Sequence, residues 1–254
     1  MHPVILRLGS FVVYSYGLML ALALLVTTWL ACRVARRGAV QDVPMSVDQI
    51  MDFSCLSLLG GIFGARLLFV ILQWEFYARS PEQVPAIWRG GLVWYGGFLG
   101  SLAVGWGYTR AKRIAFLRMT DQFIPFLALG HAIGRLGCFL NGCCYGRPTE
   151  RWCGVLFPGH AEAVLPTQLF EATGLFLLYL VLRRLQRPVV LRRHGLIFGS
   201  YLVLYGILRF GIEFLRGDQP VWWAGLTLQQ LVSFVGIAAG LVVGMRASKV
   251  RGAR

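Results

Sequence analysis

Residues 130–146 read GHAIGRLGCFLNGCCYG and place a basic residue, Arg135, inside an otherwise apolar run. An arginine at the centre of a membrane helix costs about 2.5–3.5 kcal/mol on an insertion scale, so it persists where an anionic or polar partner compensates its charge. The five glycines of the stretch let backbone or ligand approach closely. The stretch therefore predicts an arginine at membrane depth that holds something polar or anionic.

The composition around this stretch is that of a membrane protein. Of the 254 residues, 57% are hydrophobic and only 14% are charged, whereas about 25% of residues are charged in soluble domains. Several apolar runs reach the roughly 20 residues that cross a bilayer as a helix, and they lack the alternation of a membrane β-barrel. The sequence predicts an all-α, polytopic membrane protein with a single integral membrane domain over residues 1–254.

Seven transmembrane helices are predicted. They lie near residues 11–31, 50–72, 91–109, 120–140, 167–182, 195–215 and 225–245. Most of the 25 lysines and arginines fall in alternate connections between these spans, and cytoplasmic connections carry the excess of basic residues in membrane proteins. This bias predicts the N-terminus outside and the C-terminus cytoplasmic. It also accounts for the net charge of +14 without nucleic acid, which is not expected as a partner.

This topology brings several unusual residues to one depth. Span four carries Arg135, span six carries Arg209 and Glu213, and span two carries Arg66, all in the outer half. Tyr205 shares a helix face with Arg209 and Glu213, because the three are spaced by four residues. The Arg209–Glu213 pair alone can be a neutral ion pair within one helix. Together, three arginines against few buried acids favour an anionic ligand, and arginine suits phosphate because its planar fork donates two parallel hydrogen bonds.

Further polar residues are candidates for the same outer cavity. His131 precedes Arg135 by four residues and is either a general base or a packing residue. Gln168 and Glu171 lie at the outer end of span five, where they either line the cavity or support the start of the helix. Thr167 is the candidate N-cap of that helix.

Four of the six cysteines cluster after the middle of span four. They are Cys138, Cys143, Cys144 and Cys153. A zinc site that can be recognised from sequence would show two pairs of ligands with regular, close spacing, and these four cysteines do not show that spacing. Free or structural thiols, a disulfide in an oxidising compartment, and a metal-binding or catalytic cysteine are the alternatives, and neither a metal nor a cofactor is predicted.

The motifs of the chain, in their order, resemble the prolipoprotein diacylglyceryl transferase family over nearly the full length. The most specific is GRLGCFLNG at residues 134–142. The others are HPVI at 2–5, YG at 16–17, GARL at 64–67, GGL at 90–92, YGG at 95–97, PTQLFE at 166–171, and the run from Tyr205 through Arg209 and Glu213 to Arg216.

The resemblance implies an enzyme of the bacterial inner membrane with its active site toward the outer leaflet. The implied substrates are phosphatidylglycerol and the lipobox cysteine of a prolipoprotein signal peptide. The diacylglyceryl group passes to the thiol, a thioether forms and glycerol phosphate leaves. Arg135 and Arg209 are the essential pair by resemblance, and they would bind the phosphate and stabilise the leaving group. Asn141 and Tyr205 would hydrogen-bond the head group.

The resemblance also suggests residues that support the active site, and it does not identify the general base. Glu213 would orient Arg209, and Tyr16 would line the lipid cavity. Tyr95 stands where many members of the family have a histidine that is a candidate base, and a tyrosine is a poorer base near neutral pH. Either His131 compensates for this departure, or the field of the arginines alone activates the substrate thiol.

Two other functions fit the same residues. One is a non-catalytic lipid- or anion-binding membrane protein, and the other is a related transferase with a different acceptor. All three functions predict that the basic cavity binds an anion. Only the first requires that both phosphatidylglycerol and a lipobox peptide fit the site.

Overall fold

The computed structural model describes residues 4–8, 11–36, 45–186, 188–191, 193–217 and 219–249, so the His2-Pro3 part of the opening motif lies outside it. Helices dominate the described residues, as the sequence predicts. They are α1 (Ser15–Arg36), α2 (Val47–Leu72), α3 (Trp74–Arg79), α4 (Trp94–Ala111), α5 (Phe116–Asn141), α6 (Thr167–Leu185), α7 (Pro188–Leu191), α8 (Leu196–Glu213) and α9 (Leu228–Lys249).

Five helices in the described part of the chain are long and apolar enough to cross a membrane: α1, α2, α5, α8 and α9. The chain is therefore a membrane protein, as predicted. Helices α4 and α6 occupy the other two predicted spans without the same apolar character. Glycine, tryptophan and tyrosine make up much of α4, and α6 carries Glu171, Arg183 and Arg184. The count of seven spans and the orientation of the termini stay predictions.

Two short antiparallel hairpins replace the beginnings of two predicted spans. Strand β1 (Val4–Leu8) pairs with β2 (Phe11–Tyr14), so the first helix begins at Ser15 and not at residue 11. The run before Ser15 contains β-branched and aromatic residues, which favour extended backbone. Strand β3 (Val221–Trp223) pairs with β4 (Leu226–Thr227), so the last helix begins three residues later than predicted. The sequence analysis missed both hairpins.

The chain divides into two compact units. Unit 1 contains Met1–Val43 and Thr120–Arg254, and unit 2 contains Pro44–Met119. Most of the candidate residues belong to unit 1. Arg66 and Tyr95 belong to unit 2.

In unit 2, helices α2 and α4 pack through glycines. A Cβ added at Gly64 would overlap the carbonyl oxygen of Gly96 and lie 2.9 Å from the Cα of Gly100. A Cβ added at Gly100 would overlap the carbonyl oxygen of Gly60. Small residues let membrane helices approach this closely. These glycines therefore serve the close packing of α2 against α4.

In unit 1, α5, α6 and α8 form an apolar core. Leu175, Leu182 and Ile197 are completely buried in it. The buried members of this core are Ile124, Ala128, Ala132, Leu175, Leu178, Leu182, Ile197 and Tyr201.

Asp121 holds one end of this core together. Its carboxylate accepts hydrogen bonds from the backbone N–H groups of Gly195, at 2.5 Å, and Phe198, at 2.8 Å. These groups lie at the start of α8, where a negative charge is favoured by the helix dipole. The side-chain amide of Gln186 donates to the carbonyl oxygens of Asp121, at 2.9 Å, and Gln122, at 3.0 Å. The ends of three helices are thus tied at one point.

Replacing Asp121 with alanine is expected to lower the free energy of unfolding by about 1–3 kcal/mol, because it leaves the buried N–H of Gly195 and the partly buried N–H of Phe198 without their acceptor. Thermal unfolding of the purified protein in detergent measures this loss. Asp48→Ala is the control, because Asp48 is exposed in the first turn of α2 and its loss should cost about 0.3–1 kcal/mol. Equal melting temperatures for the two variants would contradict the role of Asp121.

Candidate functional site

Four charged side chains connect α5, α6 and α8 in unit 1, and we call them the charged network: Arg135, Glu171, Arg209 and Glu213. Arg135 Nη2 lies 3.0 Å from Glu171 Oε1, and Arg209 Nη1 lies 3.6 Å from Glu171 Oε2. Arg209 Nη2 lies 2.9 Å from Glu213 Oε2. The side chains of Glu171 and Glu213 are 2% and 0% exposed, and those of Arg135 and Arg209 are 15% and 12% exposed. The network is therefore largely withdrawn from solvent.

The charged network confirms one prediction and corrects another. The ion pair between Arg209 and Glu213 follows from their spacing on one helix and is present. The expected surplus of positive charge is not found within the network, because Glu171 contacts both Arg135 and Arg209. Two cations and two anions balance. Binding of an anionic ligand is therefore supported by the geometry of the arginine donors and not by an excess of positive charge.

The geometry leaves buried donors unused. Within the described residues, Arg135 Nε and Arg209 Nη1 are buried and make no hydrogen bond. Arg209 Nη1 lies 3.6 Å from Glu171, which is too long for a hydrogen bond. The 3.0 Å contact between Arg135 and Glu171 is an ion pair by distance, yet its alignment leaves Glu171 Oε1 without a hydrogen bond. A buried polar group without a partner costs about 1–3 kcal/mol, which a ligand with several oxygens can recover.

Two predicted aromatic residues lie beside the network. The rings of His131 and Tyr205 meet edge to face with centroids 5.2 Å apart. Tyr205 stacks on Tyr201 at 5.6 Å. His131 is an electrostatic neighbour of Arg135 and Arg209, and Tyr205 is a neighbour of Arg135. The structure thus brings His131, Arg135, Tyr205 and Arg209 together, as expected from their helix faces.

Thr227 is a residue of the site that the sequence analysis missed. Its hydroxyl donates to Glu213 Oε1 at 2.9 Å, and its backbone N–H donates to Gln230 Oε1 at 3.0 Å. It thereby fixes the carboxylate that pairs with Arg209. No local pattern signals this contact, because Thr227 ends the hairpin of β3 and β4 and lies 14 residues after Glu213.

The cysteine group, defined as Cys138, Cys143 and Cys144, forms a second cluster in unit 1. All three thiols are free, and their sulfur atoms lie within 4.8 Å of one another. The Thr167 hydroxyl donates to the carbonyl oxygen of Cys144 at 2.8 Å, and the Gln168 amide donates to that of Cys143 at 2.6 Å. Thr167 is the first residue of α6, with Pro166 at the N-cap position, so the prediction that Thr167 caps this helix is wrong. Gln168 holds the cysteine loop.

The cysteine group and the charged network share Arg135. Hydrogen bonds from the thiols of Cys138 and Cys143 hold the pKa of the Cys144 thiol below its usual range. The charges of Arg135 and Arg216 lower this pKa further, while burial opposes them. The charge of Arg135 therefore acts both on Glu171 in the network and on the loop that follows α5.

Tyr16 and Asn141 border the cysteine group. Tyr16, in the first turn of α1, lies against Gly137 of α5, where an added Cβ would be 3.3 Å from the tyrosine ring. Its electrostatic neighbours include Cys138 and Arg135, and it is 37% exposed. Asn141 ends α5, is exposed and hydrogen-bonds with Cys143. Both residues thus lie at the edge of the site.

Arg66 has a different environment, within unit 2. Its guanidinium donates to the carbonyl oxygens of Gln83 at 2.7 Å, Val84 at 2.8 Å, Gly90 at 2.9 Å and Gly91 at 3.2 Å. Gly90 and Gly91 adopt φ of 84° and 77°, which favours glycine. Arg66 thus organises the connection before α4, and these contacts give it a structural role.

Tyr95 also lies in unit 2, in the first turn of α4. Its ring packs edge to face on Trp94, with centroids 5.3 Å apart, and the residue is 58% exposed. The catalytic role of Tyr95 stays a prediction.

The sequence of the chain is similar to those of known proteins of one family. A sequence model described as prolipoprotein diacylglyceryl transferase matches residues 3–246. A phosphatidylglycerol–prolipoprotein diacylglyceryl transferase of Clostridium tetani is 32% identical over 248 residues, covering 96% of each chain. The protein of the same description from Finegoldia magna is 33% identical and covers 92% of this chain and 91% of its own. That from Geobacter sulfurreducens is 33% identical and covers 97% and 95%.

Proposed function

The chain belongs to the prolipoprotein diacylglyceryl transferase family, and from this premise we propose that it transfers the diacylglyceryl group of phosphatidylglycerol to the lipobox cysteine of bacterial prolipoproteins. The observation that supports this reaction at this site is the pair of buried donors on Arg135 and Arg209 that make no hydrogen bond within the described residues. A lipid phosphate offers several acceptor oxygens to such donors.

The reaction is a displacement at carbon. The sulfur of the lipobox cysteine attacks the glyceryl carbon that bears the phosphate oxygen. A carbon–sulfur bond forms, the carbon–oxygen bond breaks, and glycerol phosphate leaves with the bonding electron pair. The thiol proton passes to a base or to the leaving phosphate. The enzyme needs to hold the phosphate, stabilise the charge of the leaving group and help form the thiolate, which is the reactive form of cysteine.

Arg135 and Arg209 are the residues that bind the phosphate in this proposal. Their guanidinium groups are fixed before the substrate arrives, because Glu171 lies between them and Glu213 pairs with Arg209. Donors that are already oriented toward developing charge stabilise a transition state without reorganisation. Glu171 and Glu213 are therefore positioning residues.

The neighbouring side chains complete the substrate site. Tyr205, beside Arg135, and Asn141, at the end of α5, hydrogen-bond the glycerol head group. Tyr16 borders the path of the acyl chains. Gln168 acts indirectly, because it holds the loop that follows Asn141. His131 is the candidate that accepts the thiol proton because of its position beside the two arginines that would hold the phosphate.

His131→Ala is expected to lower the transfer rate by about 10²–10⁴, the usual contribution of a general base. Initial rates at saturating phosphatidylglycerol and peptide measure this loss. His194→Ala is the matched control, because His194 is exposed in the turn before α8. Full activity in His131→Ala would remove the base role and leave activation of the thiol to the arginines.

The site is proposed to face the outer leaflet of the bacterial inner membrane, with seven spans, the N-terminus outside and the C-terminus cytoplasmic. Arg135 and Arg209 lie near the C-terminal ends of α5 and α8, and Glu171 lies near the N-terminal end of α6. The opposite end of α6 carries Arg183 and Arg184, which the positive-inside rule assigns to the cytoplasm.

A transfer assay tests the proposed function. Purified protein in detergent is mixed with phosphatidylglycerol and a synthetic lipobox peptide, and the peptide mass is followed. The expected result is a diacylglyceryl adduct on the peptide cysteine, absent when that cysteine is serine. Folded protein that binds phosphatidylglycerol and forms no adduct would overturn the reaction in favour of a lipid-binding protein. Transfer to another acceptor would overturn the choice of acceptor alone.

A further inference from the structure

We propose that Cys138, Cys143 and Cys144 bind one thiophilic metal ion with a filled d shell, of the Zn²⁺ class, through their three sulfur atoms. This inference goes beyond the transfer reaction, in which the substrate supplies the reacting thiol. The two proposals can fail separately. The metal site concerns this chain's own cysteines and is tested by metal binding.

The distances between the sulfur atoms are close to those of a metal site. All three lie within 4.8 Å of one another. A Zn–S bond of about 2.3 Å in tetrahedral geometry places two sulfur ligands about 3.8 Å apart. A contraction of about 1 Å at the longest separation, within reach of cysteine side-chain rotation, brings the three atoms onto one ion.

The backbone of the loop is arranged so that its two adjacent cysteines approach Cys138. Gly142 has φ of 77° and Cys144 has φ of 62°, a left-handed conformation that is uncommon for a residue with a side chain. The N–H of Cys143 donates to the carbonyl oxygen of Cys138 at 3.1 Å. Thr167 and Gln168 fix the carbonyl groups of the same loop from α6. Outer contacts of this kind hold ligands in place at metal sites.

The charged side chains near the cysteine group are opposite in sign to a metal ion bound by three thiolates. A Zn²⁺ ion with three thiolates carries one net negative charge. Arg135 and Arg216 are electrostatic neighbours of Cys144 and offset that charge. Cys138 is 8% exposed, so the site is partly closed to water and favours soft sulfur ligands over hydration.

A metal ion would bind all three sulfur atoms, whereas a disulfide would join two of them and leave the third as a free thiol. All three thiols are free in the structure and mutually close. A three-sulfur set with an open fourth position is the arrangement that a d10 ion accepts, with water as the remaining ligand. The geometry therefore favours metal binding over a cross-link.

Cadmium is a suitable probe, because its thiolate complexes absorb in the ultraviolet while Zn²⁺ is silent. Full-length protein, purified in detergent with a non-thiol reductant and freed of metal, is titrated with Cd²⁺. The expected result is a thiolate-to-metal absorption that reaches a plateau at one ion per chain, is displaced by Zn²⁺, and is accompanied by a higher melting temperature.

Serine variants locate the site. Cys138→Ser, Cys143→Ser and Cys144→Ser should each lose the plateau and the rise in melting temperature. Cys55→Ser and Cys153→Ser are the controls and should keep both. If Cys138→Ser does not fold, the metal titration of Cys144→Ser decides whether the site exists. Cys144 is less buried than Cys138, so its replacement should disturb folding less. Absence of the absorption in folded wild-type protein, or its survival in Cys144→Ser, would overturn the proposal.

Discussion

Replacing Arg135 with alanine is expected to lower kcat/KM for diacylglyceryl transfer by about 10²–10³, the cost of removing one donor to a developing negative charge. The same loss is expected for Arg209→Ala. Arg135 Nε and Arg209 Nη1 are buried and make no hydrogen bond to any described residue. A lysine at either position keeps the charge and loses the planar fork, so Arg135→Lys should recover only part of the rate.

The test compares these variants under conditions where all remain folded. Thermal unfolding and size exclusion in detergent establish folding, and the mass of the lipobox peptide measures transfer. Arg110→Ala is the control, because Arg110 is exposed in the last turn of α4 and should leave the rate unchanged. Near-normal transfer by folded Arg135→Ala would show that Arg135 does not bind the phosphate. Near-normal transfer by folded Arg209→Ala would show the same for Arg209.

Features that depend on local spacing could be predicted from the sequence. The helices arise from long apolar runs, and the Arg209–Glu213 pair arises from a separation of four residues on one helix. His131 and Arg135 share a face for the same reason. Each of these inferences needs only the geometry of an α-helix, which the sequence determines locally.

Contacts between distant segments could not be predicted. Glu171 contacts arginines of α5 and α8, which lie on either side of it in the chain. Asp121 reaches the start of α8, and Arg66 reaches carbonyl groups of the following loop. Backbone carbonyls satisfy Arg66, and such acceptors carry no signal in the side-chain sequence. The expected excess of positive charge is wrong for this reason, since Glu171 pairs with both Arg135 and Arg209 and backbone carbonyls satisfy Arg66.

Glu171→Gln is expected to destabilise the protein by about 3–5 kcal/mol, because removing one partner leaves a buried charge uncompensated. The substitution keeps the size of the side chain and removes the negative charge that contacts Arg135 at 3.0 Å and Arg209 at 3.6 Å. Arg209 keeps Glu213, whereas Arg135 loses the carboxylate of its one ion pair in the described residues. The melting temperature in detergent should fall clearly below that of wild type.

The same variant tests whether Glu171 and a lipid phosphate face the same guanidinium groups. With Glu171 neutralised, the network carries one net positive charge, so an anionic lipid should restore part of the lost stability. Phosphatidylglycerol is therefore expected to raise the melting temperature of Glu171→Gln more than that of wild type, while kcat falls because the arginines are less firmly positioned. Glu162→Gln, at an exposed position of the loop before α6, is the control and should change neither quantity. Equal stabilisation of Glu171→Gln and wild type by phosphatidylglycerol would contradict a phosphate site at Arg135 and Arg209.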